Sequence, residues 1–125
     1  MTARILIVDD EPAIVLSIEF LLQNAGYETA VARNGCQALQ EAASFLPQLV
    51  VLDVMLPEVD GFEVCRQLRA DPLHADVKIL LLSARGRAEE IERGVRLGAN
   101  SYMTKPFATR ELVASVRALL SGETT

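Results

Sequence analysis

Hydrophobic positions along the chain follow two alternating patterns. Short runs that are continuously apolar, or that alternate with period two, are typical of β-strands. Five such runs occur, at Arg4–Val8, Tyr27–Ala32, Leu49–Leu52, Val77–Leu82 and Ser101–Thr104. Each is followed by a longer segment whose apolar residues recur every three or four positions, as they do along one face of a helix. We predict helices over Glu11–Ala25, Asn34–Phe45, Asp60–Ala70, Ala88–Leu97 and Thr109–Leu120.

Residues with special backbone preferences mark several of the helix ends. Pro12 suits the first turn of the first helix, and Gly26 ends that helix. We predict that Leu46 lies on the apolar face of the second helix and that Pro47 stops it. Asp60 is predicted to cap the third helix, because its carboxylate can accept a hydrogen bond from a free backbone N–H of the first turn.

The alternation of strand and helix predicts an α/β fold. Strands that are apolar throughout are buried on both faces, which requires a parallel sheet with helices on either side. Right-handed connections limit such a sheet to a few doubly wound orders. We therefore predict one doubly wound (βα)5 domain over residues 1–121 and a short C-terminal tail at 122–125.

Composition and charge exclude several classes of protein. The 125 residues are 50% hydrophobic and 23% charged, so the chain can bury a core and is not intrinsically disordered. The net charge of −5 argues against direct binding to nucleic acid or to an anionic membrane. No apolar run approaches the roughly 20 residues of a membrane span, and the N-terminus lacks the apolar core of a signal peptide. These features predict a cytoplasmic protein.

The cysteines and the histidine offer little chemistry. Cys36 and Cys65 are too few and too far apart in sequence for a zinc site, and we interpret both as small hydrophobic residues on helices. His74 lies in a polar stretch and is predicted to be a surface residue.

Polar residues follow four of the five predicted strands. They are Asp9, Asp10 and Glu11 after the first strand, Asp53 after the third, Ser83 after the fourth and Lys105 after the fifth. Taken singly, each is most simply a helix cap, a turn former or a solvated lysine. Because the carboxyl ends of parallel strands meet at one edge of a sheet, however, we expect these side chains to converge there.

The chemistry of that edge points to phosphoryl transfer. Clustered carboxylates repel one another unless a cation neutralises them, and an all-oxygen ligand set favours Mg²⁺. The Lys105 ammonium and the Ser83 hydroxyl suit phosphoryl oxygens. One carboxylate can then act as the nucleophile, while the cations screen the charge on the phosphoryl group.

Four sequence blocks carry a resemblance to a known family. They are Val8–Pro12, Val51–Pro57 with Asp60-Gly61, Leu82–Arg85 and Tyr102–Phe107. In this order and at these intervals they resemble the signature blocks of a response-regulator receiver domain, the CheY-like fold of two-component phosphorelay signalling. The resemblance extends from about Arg4 to Leu120 and implies a five-stranded parallel sheet of order 2-1-3-4-5 with helices on both faces.

The resemblance also implies a role for each residue of the predicted edge. Asp53 is implied as the phosphoacceptor, which takes its phosphoryl group from a phosphohistidine. The implied Mg²⁺ ligands are Asp9, Asp10, Asp53 and the backbone carbonyl of Met55. The implied phosphoryl-binding residues are Ser83, Ala84 and Lys105, with a cis peptide bond between Lys105 and Pro106. Ser83 and Tyr102 stand at the family's switch positions.

The partners implied by the resemblance are proteins. A sensor histidine kinase or a histidine phosphotransfer protein supplies the phosphoryl group, and a downstream protein or a covalently linked output domain receives the signal. Phosphorylation changes the surface formed by the fourth helix, the fifth strand and the fifth helix. Some relatives dimerise there through charges that include an acidic pair, but this chain has Asn100-Ser101 in its place, so a phosphorylation-dependent homodimer stays open. Catalysis is expected to be limited to self-phosphorylation and slow self-hydrolysis.

Three alternatives compete with this interpretation. A phosphatase of the haloacid dehalogenase type needs a second acid two residues after the nucleophile, where this chain has Met55. A flavodoxin-like or nucleotide-binding domain needs a Gly-rich or Ser/Thr-rich phosphate loop after the first strand, whereas Asp9-Asp10-Glu11-Pro12 repels phosphate unless a metal is bound. A degenerate receiver that acts only as a scaffold would lack an acid or the lysine, and both are present.

Overall fold

The computed structural model describes residues 2–122 and contains five strands and five α-helices in strict alternation. The strands are β1 (Arg4–Val8), β2 (Glu28–Ala32), β3 (Leu49–Asp53), β4 (Lys78–Ser83) and β5 (Ser101–Thr104). The helices are α1 (Pro12–Asn24), α2 (Gly35–Phe45), α3 (Gly61–Ala70), α4 (Ala88–Arg96) and α5 (Thr109–Ser121). A short 3-10 turn at Pro72–His74, which the sequence pattern did not predict, precedes β4.

The sheet has the order β2-β1-β3-β4-β5, and every pair of neighbouring strands is parallel. The register aligns the carboxyl ends of the strands. Val8 pairs with Leu52, Asp53 pairs with Leu82, and Ser83 pairs with Thr104. The predicted doubly wound fold and its strand order are therefore confirmed, and the residues that follow each strand emerge at the same edge.

Two apolar layers enclose the sheet. Successive strand residues point to opposite faces, so Leu6 and Val8 pack into one layer while Ile5 and Ile7 pack into the other. Helices α2 and α3 cover the first layer, and α1 and α5 cover the second. Helix α4 lies on the α3 side, where Gly94 approaches Leu81 of β4. Within residues 2–122, none of the helices combines the length and apolar character needed to cross a bilayer.

Helix ends follow most of the predicted signals, with one error. The Asp60 carboxylate accepts a hydrogen bond from the Glu63 backbone N–H at 2.9 Å, which confirms the predicted cap of α3. The placement of Leu46 on the buried face of α2 was wrong. The helix ends at Phe45, and Leu46 adopts a left-handed conformation with φ 52° that turns its side chain outward, leaving it 42% exposed.

One further prediction, the surface position of His74, needs correction. His74 is not a surface residue, because the 3-10 turn folds it inward and leaves it only 4% exposed. Both cysteines lie on helices as predicted: Cys65 is buried on α3, and Cys36 is exposed near the start of α2. At the C-terminus, α5 continues to Ser121, and Gly122, the first residue of the predicted tail, caps it. The other tail residues, 123–125, lie outside the described part of the chain.

Candidate phosphoryl and metal site

Three carboxylates meet at the carboxyl edge of the sheet. Asp9 and Asp10 directly follow β1, and Asp53 is the last residue of the neighbouring strand β3. Each offers an oxygen atom, and these three atoms lie within 4.8 Å of one another. Asp9 and Asp53 are buried, whereas Asp10 is exposed. The structure thus brings together the acids that the sequence pattern predicted to converge.

Lys105 is the cation nearest to these acids. It follows β5, and its backbone N–H donates a hydrogen bond to the carbonyl of Ser83 at 2.7 Å. Its Nζ lies 2.9 Å from Oδ2 of Asp9, 3.3 Å from Oδ2 of Asp53 and 3.7 Å from Oε1 of Glu11. The peptide bond between Lys105 and Pro106 is cis. One ammonium group therefore bridges the carboxylates of β1 and β3.

Burial and charge shift the ionisation of this cluster. Burial, together with the negative charge of Asp9, raises the pKa of Asp53 from 3.8 to about 6, although Lys105 and the Met55 backbone N–H oppose the increase. Burial acts to lower the pKa of Lys105, but its hydrogen bond to Asp9 and the charges of Asp53 and Asp9 outweigh this effect and raise it. A site with one lysine for three carboxylates is short of positive charge.

The donor set fits a hard cation. All three side chains offer carboxylate oxygens, which are the ligands that Mg²⁺ and Ca²⁺ prefer. Asp10 faces an open cavity of about 560 Å³ that Met55, Asp60 and Arg85 also line, so solvent can complete a coordination shell. The Asp53 Oδ1 atom accepts a hydrogen bond from the Met55 backbone N–H at 3.3 Å. These acids are able to bind a metal ion, and a metal would supply the missing positive charge.

The raised pKa of Asp53 predicts an unusual dependence of stability on pH in the metal-free protein. A carboxyl group with a higher pKa in the folded state binds its proton more tightly there than in the unfolded chain. Its contribution is therefore fully present below pH 3.8 and is lost as the pH rises through about 6. With a chelator present, we expect the free energy of unfolding to increase by about 1.4 kcal/mol between pH 7.5 and pH 5.

Urea unfolding at several pH values in that interval measures this effect. The pKa of Glu63 is lowered from 4.5 to about 2 in the folded protein, so protonation of Glu63 below pH 4.5 acts against the effect of Asp53. The measured interval therefore stays above pH 4.5. The Asp53→Asn variant serves as the control and should show a much flatter dependence. An equal slope in the variant and the wild-type protein would assign the effect to other groups.

Ser83 ends β4 and is only 1% exposed. Its Oγ donates a hydrogen bond to Oε2 of Glu90 at 2.9 Å and accepts one from the Arg85 backbone N–H at 3.1 Å. The hydroxyl therefore interacts with the first turn of α4 rather than with the acid cluster. Ala84, the next residue, is exposed.

Glu90 is the residue of this region that the sequence interpretation missed. It lies in a polar helix and looks like an ordinary acid of the first turn, where negative charge stabilises the helix dipole. Its spacing of seven residues from Ser83 carries no recognisable signal. Only the packing of α4 against β4 brings the two side chains together.

Tyr102 lies on β5 opposite Leu81 of β4. Its hydroxyl oxygen is buried and has no hydrogen-bond partner among residues 2–122. The inward rotation expected on phosphorylation stays a prediction, but the hydroxyl is already buried in this unmodified chain.

Comparisons with known proteins agree with this geometry. The sequence model of the response regulator receiver domain matches residues 5–117. The alkaline phosphatase synthesis transcriptional regulatory protein PhoP of Bacillus subtilis is 46% identical over 120 residues, which are 96% of this chain and 49% of that protein. Response regulator MprA of Mycobacterium ulcerans is 47% identical over 96% of this chain and 51% of its own length. The chain spans about half the length of these curated relatives.

Solved structures show the same fold. A putative response regulator from Chloroflexus aurantiacus superposes with a TM-score of 0.92 at 38% identity, covering 97% of this chain and 99% of that one. Chemotaxis response regulator CheY4 of Vibrio cholerae gives a TM-score of 0.91 at 29% identity, with coverage of 95% and 99%. The chain therefore belongs to the response regulator receiver domains, a family whose general function in two-component signalling is switching by phosphorylation.

Proposed function

We propose that Asp53 is the phosphoacceptor and that it takes a phosphoryl group from a phosphohistidine on a sensor histidine kinase or a histidine phosphotransfer protein. The observation that carries this proposal is the contact between the Lys105 ammonium and Asp53, within a cluster that Asp9 and Asp10 complete. Asp53 is the central acid of the cluster, because its strand lies between β1 and β4. A phosphoryl group on this carboxylate would be close to Lys105 on one side and to the end of β4 on the other.

The proposed metal is Mg²⁺, held by Asp9, Asp10, Asp53 and the backbone carbonyl of Met55. The three carboxylates support this assignment through their spacing and their oxygen donors. When bound, the ion screens the negative charges of the carboxylate and the phosphoryl oxygens from each other. Asp10, the exposed member of the set, leaves the site open to solvent and to a donor.

The side chains of this protein carry out the attack on phosphorus and bind the transferred phosphoryl group. An Asp53 carboxylate oxygen attacks phosphorus, the bond between phosphorus and the donor nitrogen breaks, and the imidazole leaves with that electron pair. Lys105 then binds a phosphoryl oxygen, and the Ser83 hydroxyl and the Ala84 backbone N–H donate to the others. The product is an aspartyl phosphate whose negative charge the lysine offsets in part.

Phosphorylation is proposed to change the surface formed by α4, β5 and α5. Ser83 ends β4 and contacts α4 through Glu90, so a movement of its hydroxyl toward Asp53 reaches that surface directly. Tyr102 on β5 is the second switch residue. A downstream protein or a linked output domain then binds the two states with different affinity, which is the requirement for a signal to pass. The relatives of about twice this length make a linked output domain a reasonable partner.

Receiver domains are generally not enzymes in the sense of turning over a separate substrate. We propose that this chain catalyses only its own phosphorylation from small donors and the slow hydrolysis of the resulting aspartyl phosphate. We also propose that this exchange takes place in the cytoplasm, where the ATP that phosphorylates histidine kinases is found.

Intact mass after incubation with acetyl phosphate tests the proposal. In the presence of Mg²⁺ we expect the protein to gain one phosphoryl group, because the acids and Lys105 together form the site that activates Asp53. Addition of a chelator should abolish the gain, since the cluster then lacks a cation beyond the lysine. A gain of equal size with and without the chelator would contradict the metal assignment, and no gain in either condition would contradict the function.

A further inference from the structure

Glu90 makes a polar contact with Ser83 that must break when the Ser83 hydroxyl moves toward Asp53. It lies in the first turn of α4, it is half-buried, and its Oε2 accepts the hydrogen bond that Ser83 donates. A serine hydroxyl has a single proton to donate. While Ser83 donates to Glu90, it therefore has no proton left for a phosphoryl oxygen on Asp53.

Tyr102, in contrast to Ser83, has a hydroxyl without an acceptor. Its hydroxyl is buried without a hydrogen-bond partner among the described residues, and a buried hydroxyl left in this way costs stability. Burial raises the pKa of the Tyr102 phenol; the nearby Ser83 hydroxyl and the Gly86 backbone oppose this increase, whereas the Glu90 carboxylate adds to it. The backbone of Tyr102 pairs with Leu81, two residues before Ser83 on the adjoining strand. One carboxylate is thus close to two donors and is bonded to only one of them.

We propose that Glu90 is a positioning residue that exchanges these two donors. In the unmodified chain its carboxylate holds the Ser83 hydroxyl away from Asp53. When Ser83 turns to a phosphoryl oxygen, the released carboxylate accepts the hydrogen bond of the Tyr102 hydroxyl instead. The inference rests on the proposed function, because it assumes that Ser83 binds the phosphoryl group.

The exchange keeps Glu90 bonded in both states. Ser83 donates to a phosphoryl oxygen instead of to Glu90, and Glu90 accepts from Tyr102 instead of from Ser83. The Tyr102 hydroxyl thereby gains the hydrogen-bond partner it lacks. Because Glu90 belongs to α4 and Tyr102 to β5, the exchange links the phosphorylated edge of the sheet to the surface formed by α4, β5 and α5. Such a device has two discrete arrangements, as a population shift requires.

The ¹³Cζ signal of Tyr102 tests the exchange without any phosphoryl group. The signal moves to higher frequency when the phenol donates to a carboxylate, and the Tyr27→Phe variant distinguishes the two tyrosines of the chain. In Ser83→Ala, Glu90 has lost its first donor, so we expect the Tyr102 signal to shift even in the unmodified protein. Ser83→Ala/Glu90→Ala should lose the shift. Ser83→Ala/Glu89→Ala, which removes the neighbouring acid of the same helical turn, should keep it.

Beryllofluoride, which takes the place of a phosphoryl group on a carboxylate, completes the test. With Mg²⁺ present it should produce the same shift in the protein with its natural Ser83, and no shift in Glu90→Ala. An unchanged Tyr102 signal in Ser83→Ala, or a shift that persists without Glu90, would overturn the exchange. Failure of Asp53 as phosphoacceptor would show separately, as the lack of a mass gain from acetyl phosphate in the wild-type protein.

Discussion

The Asp53→Asn variant is expected to gain no phosphoryl group from acetyl phosphate and Mg²⁺ under conditions that modify the wild-type protein fully. An amide oxygen is a far weaker nucleophile than a carboxylate, so the loss should be complete rather than partial. The fold should survive the change. Asparagine has nearly the same shape, its oxygen can still accept the hydrogen bond from Met55, and the repulsion between Asp53 and Asp9 disappears.

Two measurements make this prediction specific. Intact mass gives the extent of modification, and urea unfolding at pH 7.5 shows that the variant is folded. Asp76→Asn is the matched control, because Asp76 is exposed and precedes β4 at the opposite edge of the sheet. This control should be modified like the wild-type protein. Full modification of Asp53→Asn would move the phosphoacceptor to another residue, and peptide mapping would identify it.

The carboxyl edge of the sheet could be predicted because it depends on local patterns. Continuously apolar strands indicate a parallel sheet, and a parallel sheet brings the residues after its strands to one edge. The convergence of Asp9, Asp10 and Asp53 follows from this rule without any knowledge of side-chain packing. The position of Lys105 follows for the same reason, since β5 ends at the same edge.

The features that sequence reasoning missed depend on irregular local backbone or on contacts between separate elements. The burial of His74 depends on a 3-10 turn whose three residues have no periodicity to detect. The outward turn of Leu46 is a left-handed backbone conformation that a leucine rarely adopts, so no residue preference predicted it. The hydrogen bond between Ser83 and Glu90 needs the packed position of α4. For His74 and Leu46 the local backbone path decides where the side chain lies, and for Ser83 and Glu90 the packing of two elements decides it.

The Gly61→Ala variant is expected to lose more than about 3 kcal/mol of the free energy of unfolding, because it creates an overlap that no side chain can relieve. Gly61 is the first residue of α3, and its backbone N–H donates to the Val54 carbonyl at 2.9 Å. A Cβ atom at Gly61 would overlap the backbone carbonyl of Asp53 and lie 2.7 Å from Cα of Val54. Either α3 must move away from the sheet or the end of β3 must shift.

Both responses damage the site as well as the core. Movement of α3 withdraws Phe62 from the apolar layer, and a shift of β3 displaces the Asp53 carboxylate from Lys105. We therefore expect a lower urea midpoint together with reduced phosphoryl incorporation. Gly26→Ala is the control for backbone strain alone, because the Gly26 backbone has φ +96° and an added Cβ would meet no described heavy atom within 4 Å. This variant should lose only about 1 kcal/mol. Equal stability of the two variants would mean that the approach of Gly61 to β3 is looser than the structure shows. It would also mean that α3 does not fix the position of the phosphoacceptor.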